Sequence, residues 1–129
     1  MTDLSVQVAG VPFKNPIIPA SGVFGYGHEY EELFPLSKLG GIATKGTTIT
    51  PRPGNPSPRI AETPSGMLNS VGLQNPGIDV FVKRDIPFLK QYDTKIVVNV
   101  CGRSTKYYCE VVERLADEPV DLLEINISC

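Results

Sequence analysis

The stretch that decides the fold is Ile96-Val97-Val98-Asn99-Val100, a run of β-branched residues with one asparagine near its end. A short apolar run of this kind is typical of a buried strand in a parallel sheet. Next comes an amphipathic segment, capped by Ser104, whose apolar side chains recur at helical spacing: Tyr108, Val111, Val112 and Leu115. Residues 122–126 then predict another strand. A strand, a helix and a second strand in this order form a parallel βα unit with a right-handed crossover.

Upstream of this stretch, two shorter apolar runs predict two more strands, at residues 15–20 and 42–44. Before them, residues 4–8 and 11–13 flank a turn-like Ala9-Gly10 pair and predict a small hairpin. The predicted architecture is therefore a set of parallel strands, separated by helices or long loops and preceded by a hairpin.

A polar residue closes the C-terminal end of each predicted strand: Ser21, Lys45, Asn99 and Asn126. In a (β/α)8 barrel, or TIM barrel, that end of the strands carries the active site. A complete barrel needs roughly 250 residues. We therefore expect residues 1–129 to be the N-terminal part of a single α/β barrel domain, its first four βα units plus the hairpin. Because such a half barrel leaves an unpaired strand edge, we expect the isolated chain to be unstable or to aggregate.

Alternation along the last strand predicts which side chains face the barrel interior. Glu124, Asn126 and Ser128 share one face, whereas Leu123 and Ile125 point toward the helix layer. Polar residues on the inner face indicate a pocket rather than a fully apolar core.

The connection between residues 47 and 76 is unusually long and holds six of the twelve prolines. A loop of this length is normally either functional or disordered. It contains apolar anchors, which are Met67, Leu68, Val71 and Leu73. We therefore predict an ordered, functional loop.

Composition and charge exclude several classes of function. The net charge is −2, the pI is about 5.3, and no basic run is longer than Lys83-Arg84, which argues against nucleic-acid binding. No apolar stretch approaches the roughly 18 residues of a membrane span, and the N-terminus lacks the pattern of a signal peptide. These features predict a cytoplasmic protein without a membrane or nucleic-acid partner.

The sequence also argues against a metal centre. Its three cysteines, Cys101, Cys109 and Cys129, are too widely spaced for a Cys-x-x-Cys motif, which predicts reduced thiols rather than a disulfide framework. His28-Glu29 begins like the zinc motif H-E-x-x-H, but Glu32 stands where the second histidine belongs. No metal is predicted.

Five short motifs carry a resemblance to a known family. They are Asn15-Pro16 with Ala20-Ser21-Gly22, Thr44-Lys45-Gly46-Thr47-Thr48, Gly54-Asn55-Pro56 with Pro58-Arg59, the run Leu68-Asn69-Ser70-Val71-Gly72-Leu73-Gln74-Asn75-Pro76-Gly77, and Asn126-Ile127-Ser128-Cys129. In order and spacing they resemble the class 1 dihydroorotate dehydrogenases along the whole chain. Gln74 and residues 62–66 look most like the NAD-linked class 1B catalytic subunit.

The resemblance implies an FMN-containing barrel that oxidises dihydroorotate to orotate in pyrimidine biosynthesis. In class 1B enzymes the electrons pass to NAD through a partner subunit that carries FAD and a [2Fe-2S] cluster. The resemblance therefore also implies a homodimer within a heterotetramer. The cysteines of this chain do not form a cluster site, which fits a cluster on the partner. Fumarate, the acceptor of class 1A, stays open as an alternative.

The resemblance also implies roles for individual residues. Cys129 would be the general base and Lys45 would contact both flavin and substrate; on residue type alone, a buried cysteine or a solvated lysine is the commoner finding. The cofactor-binding residues would be Ala20, Ser21, Gly22, Lys45, Gly46, Asn99 and Asn126. The substrate-binding residues would be Lys45, Asn69, Ser70, Val71, Gly72, Leu73 and Asn126. Cys101 and Cys109 are interpreted as structural. Arg52 and Arg59 either face the partner subunit or solvate the loop, and the second interpretation is the commoner case.

Two other hypotheses compete with this one. Another FMN barrel oxidoreductase with a catalytic cysteine could act on dihydropyrimidines or dihydrouridine, although the motif at residues 68–77 argues against it. A non-catalytic barrel fragment or interaction module is the alternative from a different class, and the stop at Cys129 motivates it.

Overall fold

The computed structural model describes residues 2–128. The strands are β1 (Val6–Val8), β2 (Val11–Phe13), β3 (Gly41–Ala43), β4 (Ile60–Thr63), β5 (Gly66–Asn69), β6 (Lys95–Val100) and β7 (Leu122–Ile125). The helices are α1 (Ser21–Phe24), α2 (His28–Glu31), α3 (Ile78–Val80), α4 (Ile86–Leu89) and α5 (Thr105–Leu115), with a 3₁₀ turn at Leu36–Lys38 and a π-helical turn at Phe81–Asp85. In the described part of the chain, no helix is long and apolar enough to cross a membrane.

A parallel three-stranded sheet organises the molecule. Its order is β3-β6-β7, with Ala43 opposite Val97 and Asn99 opposite Glu124. Helix α5 connects β6 to β7, as the sequence predicts. The α/β class is confirmed, and the C-terminal ends of the three strands meet at one edge of the sheet.

The sheet separates two apolar clusters. On the outer face, Ile42, Ile96, Val98 and Val100 pack with a larger group from the helices and turns: Leu36, Phe81, Ile86, Leu89, Val111 and Leu115. On the inner face, Ala43 and Val97 pack beneath Phe13, which is 1% exposed, with Leu122 at the margin. The helices thus cover one face, while the β1–β2 hairpin covers the N-terminal end of the other.

Glycine at position 41 allows the hairpin to pack this closely. A Cβ atom at Gly41 would lie 2.7 Å from the Phe13 ring, closer than real Cβ contacts allow. The predicted hairpin is confirmed, because β1 pairs antiparallel with β2. Its turn is formed by Ala9 and Gly10, both with positive φ. A surface contact also holds it, since the Lys14 ammonium pairs with the Asp93 carboxylate at 3.0 Å.

The strand predicted at residues 15–20 is wrong. This segment is irregular, because Pro16 and Pro19 have no N–H to donate to a strand ladder, and the Asn15 side chain accepts the Ile17 N–H instead. The segment still runs beside β3, where the Ile17 carbonyl accepts the Gly40 N–H at 3.1 Å. The described residues thus contain three of the predicted parallel strands.

Two local features of the helices depend on single residues. Pro87 does not interrupt the helical path, because the π-helical turn precedes it and Pro87 lies in the first turn of α4. Ser104 is the N-cap residue of α5 by position, but its side chain makes no capping hydrogen bond. The Ser104 carbonyl accepts the Tyr108 N–H at 3.2 Å.

The long loop between β3 and α3 is ordered, as predicted. It contains the β4–β5 hairpin, in which Ile60 pairs with Asn69. Isolated bridges tie it to the sheet through Thr47 and Val100, and close it on itself through Arg52 and Asn75. The loop therefore lies over the C-terminal edge of the parallel sheet.

Candidate active site at the C-terminal edge of the sheet

Three polar side chains meet on the inner face, beyond the cluster under Phe13. Asn99 on β6 is 2% exposed and lies opposite Glu124 on β7, while Asn126 directly follows β7. Because side chains alternate along a strand, Glu124 and Asn126 share the face of Asn99. The shared face predicted for Glu124 and Asn126 is confirmed by these contacts, whereas Leu123 and Ile125 are exposed and do not pack in the helix cluster.

A directional chain of hydrogen bonds joins these residues. The Asn99 amide Nδ2 donates to the Glu124 carboxylate. The Asn99 Oδ1 atom accepts from Asn126 Nδ2 and from Cys101 Sγ, each at 3.2 Å. In turn, Asn126 Oδ1 accepts from the backbone N–H of Ser128 at 3.1 Å and from its hydroxyl at 3.4 Å. All donors therefore point the same way: Ser128 donates to Asn126, Asn126 to Asn99, and Asn99 to the Glu124 carboxylate.

Lys45 and Gly46 follow β3 and border this network. The Lys45 N–H donates to the Gly25 carbonyl at 2.8 Å, and Lys45 is half-buried. Within residues 2–128, the Lys45 ammonium has no ion-pair partner. A Cβ atom at Gly46 would lie 2.7 Å from Cys101 Sγ, 2.8 Å from Leu73 Cδ1 and 3.0 Å from Asn99 Oδ1. Gly46 is thus the point where the long loop reaches the amide network.

The loop residues predicted to bind substrate are brought to the site unequally. Leu73, with φ of 54°, contacts the Gly46 region, and Gly72 has φ of 80° with Asn55 too close to admit a Cβ. Val71 pairs with the Asn55 N–H through its carbonyl at 3.0 Å. Ser70 and Asn69 are exposed, and Asn69 lies in the β4–β5 hairpin. Among the described residues, Leu73 is therefore the member of this set that meets Asn99 at Gly46.

Arg59 fixes the loop rather than solvating it, which corrects its sequence interpretation. Its guanidinium donates to the Pro53 carbonyl at 2.8 Å and to Gln74 Oε1 at 2.6 Å. Its Nε atom donates to the Asn55 carbonyl at 2.5 Å. Arg59 thereby links residues 53–55 to Gln74, which belongs to the motif at residues 68–77. Arg52 contributes through its backbone, which pairs with that of Asn75.

Asn75 is a structural residue of the loop that sequence reasoning missed. Its buried Oδ1 accepts from the Thr48 N–H at 3.2 Å, the Thr48 hydroxyl at 3.0 Å and the Gly77 N–H at 3.0 Å. Its Nδ2 donates to the Leu73 carbonyl at 2.9 Å. The signal in the sequence was the Asn-Pro-Gly run, which indicates a turn but not these partners.

The segment at residues 20–22 lines a separate part of the edge. Ala20 precedes α1, and its carbonyl accepts the Val23 and Phe24 N–H groups at 3.1 and 3.0 Å. Gly22 lines an open cleft of about 1290 Å³ together with Lys45 and Val71. A smaller cleft of about 470 Å³ is lined by Gly72 and Cys101. The predicted site residues are thus divided between the amide network and two adjoining clefts.

Tyr26 lines the larger cleft with a phenol that is neutral at ordinary pH. Burial raises the pKa of its phenol to about 12, although a hydrogen bond with the Thr47 hydroxyl at 3.3 Å works in the opposite direction. Next to it, Asp85 is fully buried and accepts from the Arg84 guanidinium at 2.9 and 3.1 Å, with His28 Nε2 at 2.7 Å. Among residues 2–128, no cluster of histidine, cysteine and carboxylate groups could hold a metal ion.

Two further positions complete the comparison with the sequence. Cys101, interpreted as structural, contacts Asn99 within the amide network, and Glu124 was assigned to the inner face but not to the site. Cys109 is exposed on α5. Cys129, the predicted general base, lies outside the described residues.

Comparisons with known proteins agree on one family. The family model described as dihydroorotate dehydrogenase matches residues 3–129. Relatives named dihydroorotate dehydrogenase B (NAD(+)), catalytic subunit, are 65% identical over 97% of this chain in Lachnoclostridium phytofermentans, 60% over 98% in Alkaliphilus metalliredigens, and 54% over 100% in Petrotoga mobilis. The chain spans about 42% of the length of the first of these relatives. The predicted family resemblance is confirmed: the chain belongs to the dihydroorotate dehydrogenase family.

Proposed function

We propose that this chain is the N-terminal part of an FMN-binding barrel, in the catalytic subunit of an NAD-linked, class 1B dihydroorotate dehydrogenase that oxidises dihydroorotate to orotate. The observation that carries the proposal is the convergence of Gly46, Asn99 and Asn126 at the C-terminal edge of a parallel sheet. That edge is where barrel enzymes build their active sites.

The layering of the molecule supports a barrel over an open, doubly wound sheet. Doubly wound sheets carry helices on both faces. Here the described helices pack on the outer face, and the inner face carries the β1–β2 hairpin at one end and polar side chains at the other. In this proposal residues 1–129 form part of a single barrel domain, and residues 15–20 take the place of its first strand without a regular ladder.

The residues at the edge fit a flavin ring. Gly46 leaves no room for a side chain, because its backbone packs directly against Cys101, Leu73 and Asn99, and this places its peptide groups beside the amide network. Gly22 lines the cleft that Lys45 also lines. Ala20 and Ser21 directly precede it, and the three residues would contribute backbone groups. The Lys45 ammonium has no ion-pair partner among the described residues. Its positive charge would stabilise the negative charge that a flavin gains on reduction. FMN, when bound, would accept the hydride removed from the substrate.

The same residues suit dihydroorotate. Its carboxylate would pair with the Lys45 ammonium, and its dione would exchange hydrogen bonds with the Asn126 carboxamide, which both donates and accepts. The loop from Asn69 through Ser70, Val71, Gly72 and Leu73 would cover the substrate, and the hydrogen bonds of Arg59 and Asn75 would hold that loop in place. These contacts orient the ring and exclude water from the reacting carbons.

Cys129 would remove the proton from the substrate. Oxidation of a carbon–carbon single bond releases one proton and one hydride, so a base is needed on the face opposite the flavin. Cys129 closely follows Asn126 in the sequence, at the predicted end of β7. A thiol with an ordinary pKa near 8.5 must ionise before it can act, so the rate is expected to rise with pH through that titration.

The electrons would leave through a partner. The names of the relatives contain both NAD(+) and catalytic subunit, which supports a separate electron-transfer subunit that carries FAD and a [2Fe-2S] cluster. A homodimer of catalytic subunits within a heterotetramer is the corresponding assembly.

The test uses a chimaera in which this chain replaces the matching N-terminal part of the L. phytofermentans relative. The unaltered relative is the matched control. We expect the purified chimaera to contain FMN, and its visible flavin band to bleach when dihydroorotate is added without oxygen. A folded, flavin-containing chimaera that does not bleach while the control does would contradict the proposal. Bleaching by dihydrouracil in preference to dihydroorotate would favour the other FMN oxidoreductase.

The electron acceptor is tested on the same reduced sample. We expect NAD to restore the flavin band when the electron-transfer subunit is present, and fumarate to leave it bleached. Rapid recovery with fumarate alone would contradict the NAD-linked assignment.

A further inference from the structure

We propose that Glu124 is a positioning residue that sets the orientation of the Asn99 and Asn126 carboxamides, and thereby decides which of their atoms face flavin and substrate. The inference rests on the proposed function and assigns a role to a side chain that this function does not use. Its basis is the directional hydrogen-bond chain at the C-terminal edge of the sheet.

The direction of the chain follows from the chemistry of its first member. An ionised carboxylate only accepts hydrogen bonds, whereas a carboxamide presents a donor on one side and an acceptor on the other. The contact with Glu124 therefore requires the NH2 group of Asn99 to face β7. Its Oδ1 atom is then left to accept from Asn126 Nδ2 at 3.2 Å.

The same rule carries the orientation one residue further. Because Asn126 donates through Nδ2, its Oδ1 atom faces the opposite way, toward the Ser128 N–H at 3.1 Å and hydroxyl at 3.4 Å. Ser128 is the residue before Cys129 in the sequence. The Glu124 carboxylate, which accepts, and the Ser128 N–H, which can only donate, thus fix the two amide orientations from opposite ends of the chain.

Reversal of the chain is disfavoured at each step. A rotated Asn99 carboxamide would bring its Oδ1 atom against the Glu124 carboxylate, and its NH2 group against Asn126 Nδ2 and Cys101 Sγ. Asn99 is 2% exposed, so water does not replace a lost partner of its amide, whereas Glu124 lies in the exposed part of β7. Cross-strand pairing of Asn99 with Glu124 holds the first contact in register.

Replacement of Glu124 by glutamine removes the direction but keeps the size. Glutamine can donate or accept, so the direction is then fixed from the Ser128 end alone, and the orientation of Asn99, two hydrogen bonds away from Ser128, is held less firmly. We expect Glu124→Gln in the chimaera to raise the KM for dihydroorotate and the dissociation constant of orotate by about tenfold. Flavin content and thermal midpoint are expected to remain near those of the parent.

Two further variants separate positioning from general effects. Glu124→Asp keeps the carboxylate and is expected to recover orotate binding to within about threefold of the parent. Glu113→Gln removes the same negative charge from an exposed position on α5 and is expected to change neither constant. Orotate binding is read from the change that it produces in the visible flavin spectrum.

The outcomes distinguish this inference from the proposed function. A parent chimaera that is not reduced by dihydroorotate contradicts the proposed function. An active parent whose Glu124→Gln variant keeps the parent KM and orotate affinity contradicts the role of Glu124. Should Glu124→Gln fail to hold flavin, Glu124→Asp decides: flavin and orotate binding like the parent support positioning by the carboxylate, and impairment equal to that of glutamine overturns it.

Discussion

The two ends of the inner sheet face differ sharply, although the same strands build both. Toward the N-terminal end, Ala43 and Val97 pack under Phe13 and have no polar group to satisfy. Two residues further along β6, Asn99 donates a hydrogen bond to Glu124 and accepts one from Asn126. In the proposed barrel, packing would lie at one end of the interior and chemistry at the other. Substitutions at the two ends should therefore have separable effects on stability and activity.

The largest expected effect lies at the polar end. Cys129→Ala removes the proposed base, and we expect the rate of flavin reduction by dihydroorotate in the chimaera to fall by about 10²–10⁴-fold. The unfolding midpoint should stay close to that of the parent. Stopped-flow absorbance of the anaerobic protein measures the rate. Cys109→Ala, at an exposed position on α5, is the matched control and should reduce at the parent rate; equal rates for all three proteins would remove Cys129 from the mechanism.

The opposite pattern is expected at the apolar end. Phe13→Ala leaves a cavity over Ala43 and Val97, and we expect it to lower the free energy of unfolding by about 3–5 kcal/mol. Urea unfolding of the chimaera measures the loss. The flavin reduction rate per bound FMN should be nearly unchanged at a temperature where the variant is folded. A loss of rate with unchanged stability would mean that the hairpin belongs to the chemistry.

A pH effect sharpens the comparison at the cleft wall. Burial raises the pKa of Tyr26 to about 12 in the folded protein from an ordinary value of 10.0. The unfolded chain therefore ionises first as pH rises, so the stability contributed by this group is full below pH about 10 and declines above it. By pH about 11 the loss is expected to reach about 1 kcal/mol. Tyr26→Phe should remove this component from the alkaline stability profile; an identical alkaline slope in both proteins would contradict a buried neutral phenol.

The smallest effect is expected at the surface contact of the hairpin. Lys14 pairs with Asp93, whose side chain is 93% exposed. Exposed pairs of this kind contribute about 0.2–1 kcal/mol. Lys14→Ala should therefore shift the urea midpoint far less than Phe13→Ala does. A comparable shift in the urea midpoint from both variants would show that the Lys14–Asp93 pair, rather than the packing of Phe13, holds the hairpin.

Local patterns were sufficient for several of the regular elements, but they did not predict the β4–β5 hairpin. The β-branched run at residues 96–100 and the amphipathic spacing after Ser104 predicted β6 and α5, and the alternation along the last strand predicted that Glu124 and Asn126 share a face. These signals depend on periodicity within one segment. The failure at residues 15–20 has a local cause too, because two prolines outweigh the apolar content of the segment.

The missed parts of the site depend on contacts between distant segments. The role of Glu124 follows from its register with Asn99, and that of Arg59 from Gln74, fifteen residues away in the sequence. Residue type and spacing contain no information on such pairings, so they became visible with the tertiary structure.

The most direct test of the account is the crystal structure of the chimaera with FMN and orotate bound. We predict that orotate and the flavin ring lie at the polar end of the inner face, with orotate within hydrogen-bonding distance of Lys45 and Asn126 and with Asn99 donating to Glu124. Orotate bound elsewhere, for instance in the cleft beside Lys14 and Asp121 at the N-terminal end of the sheet, would contradict the assignment of chemistry to the polar end.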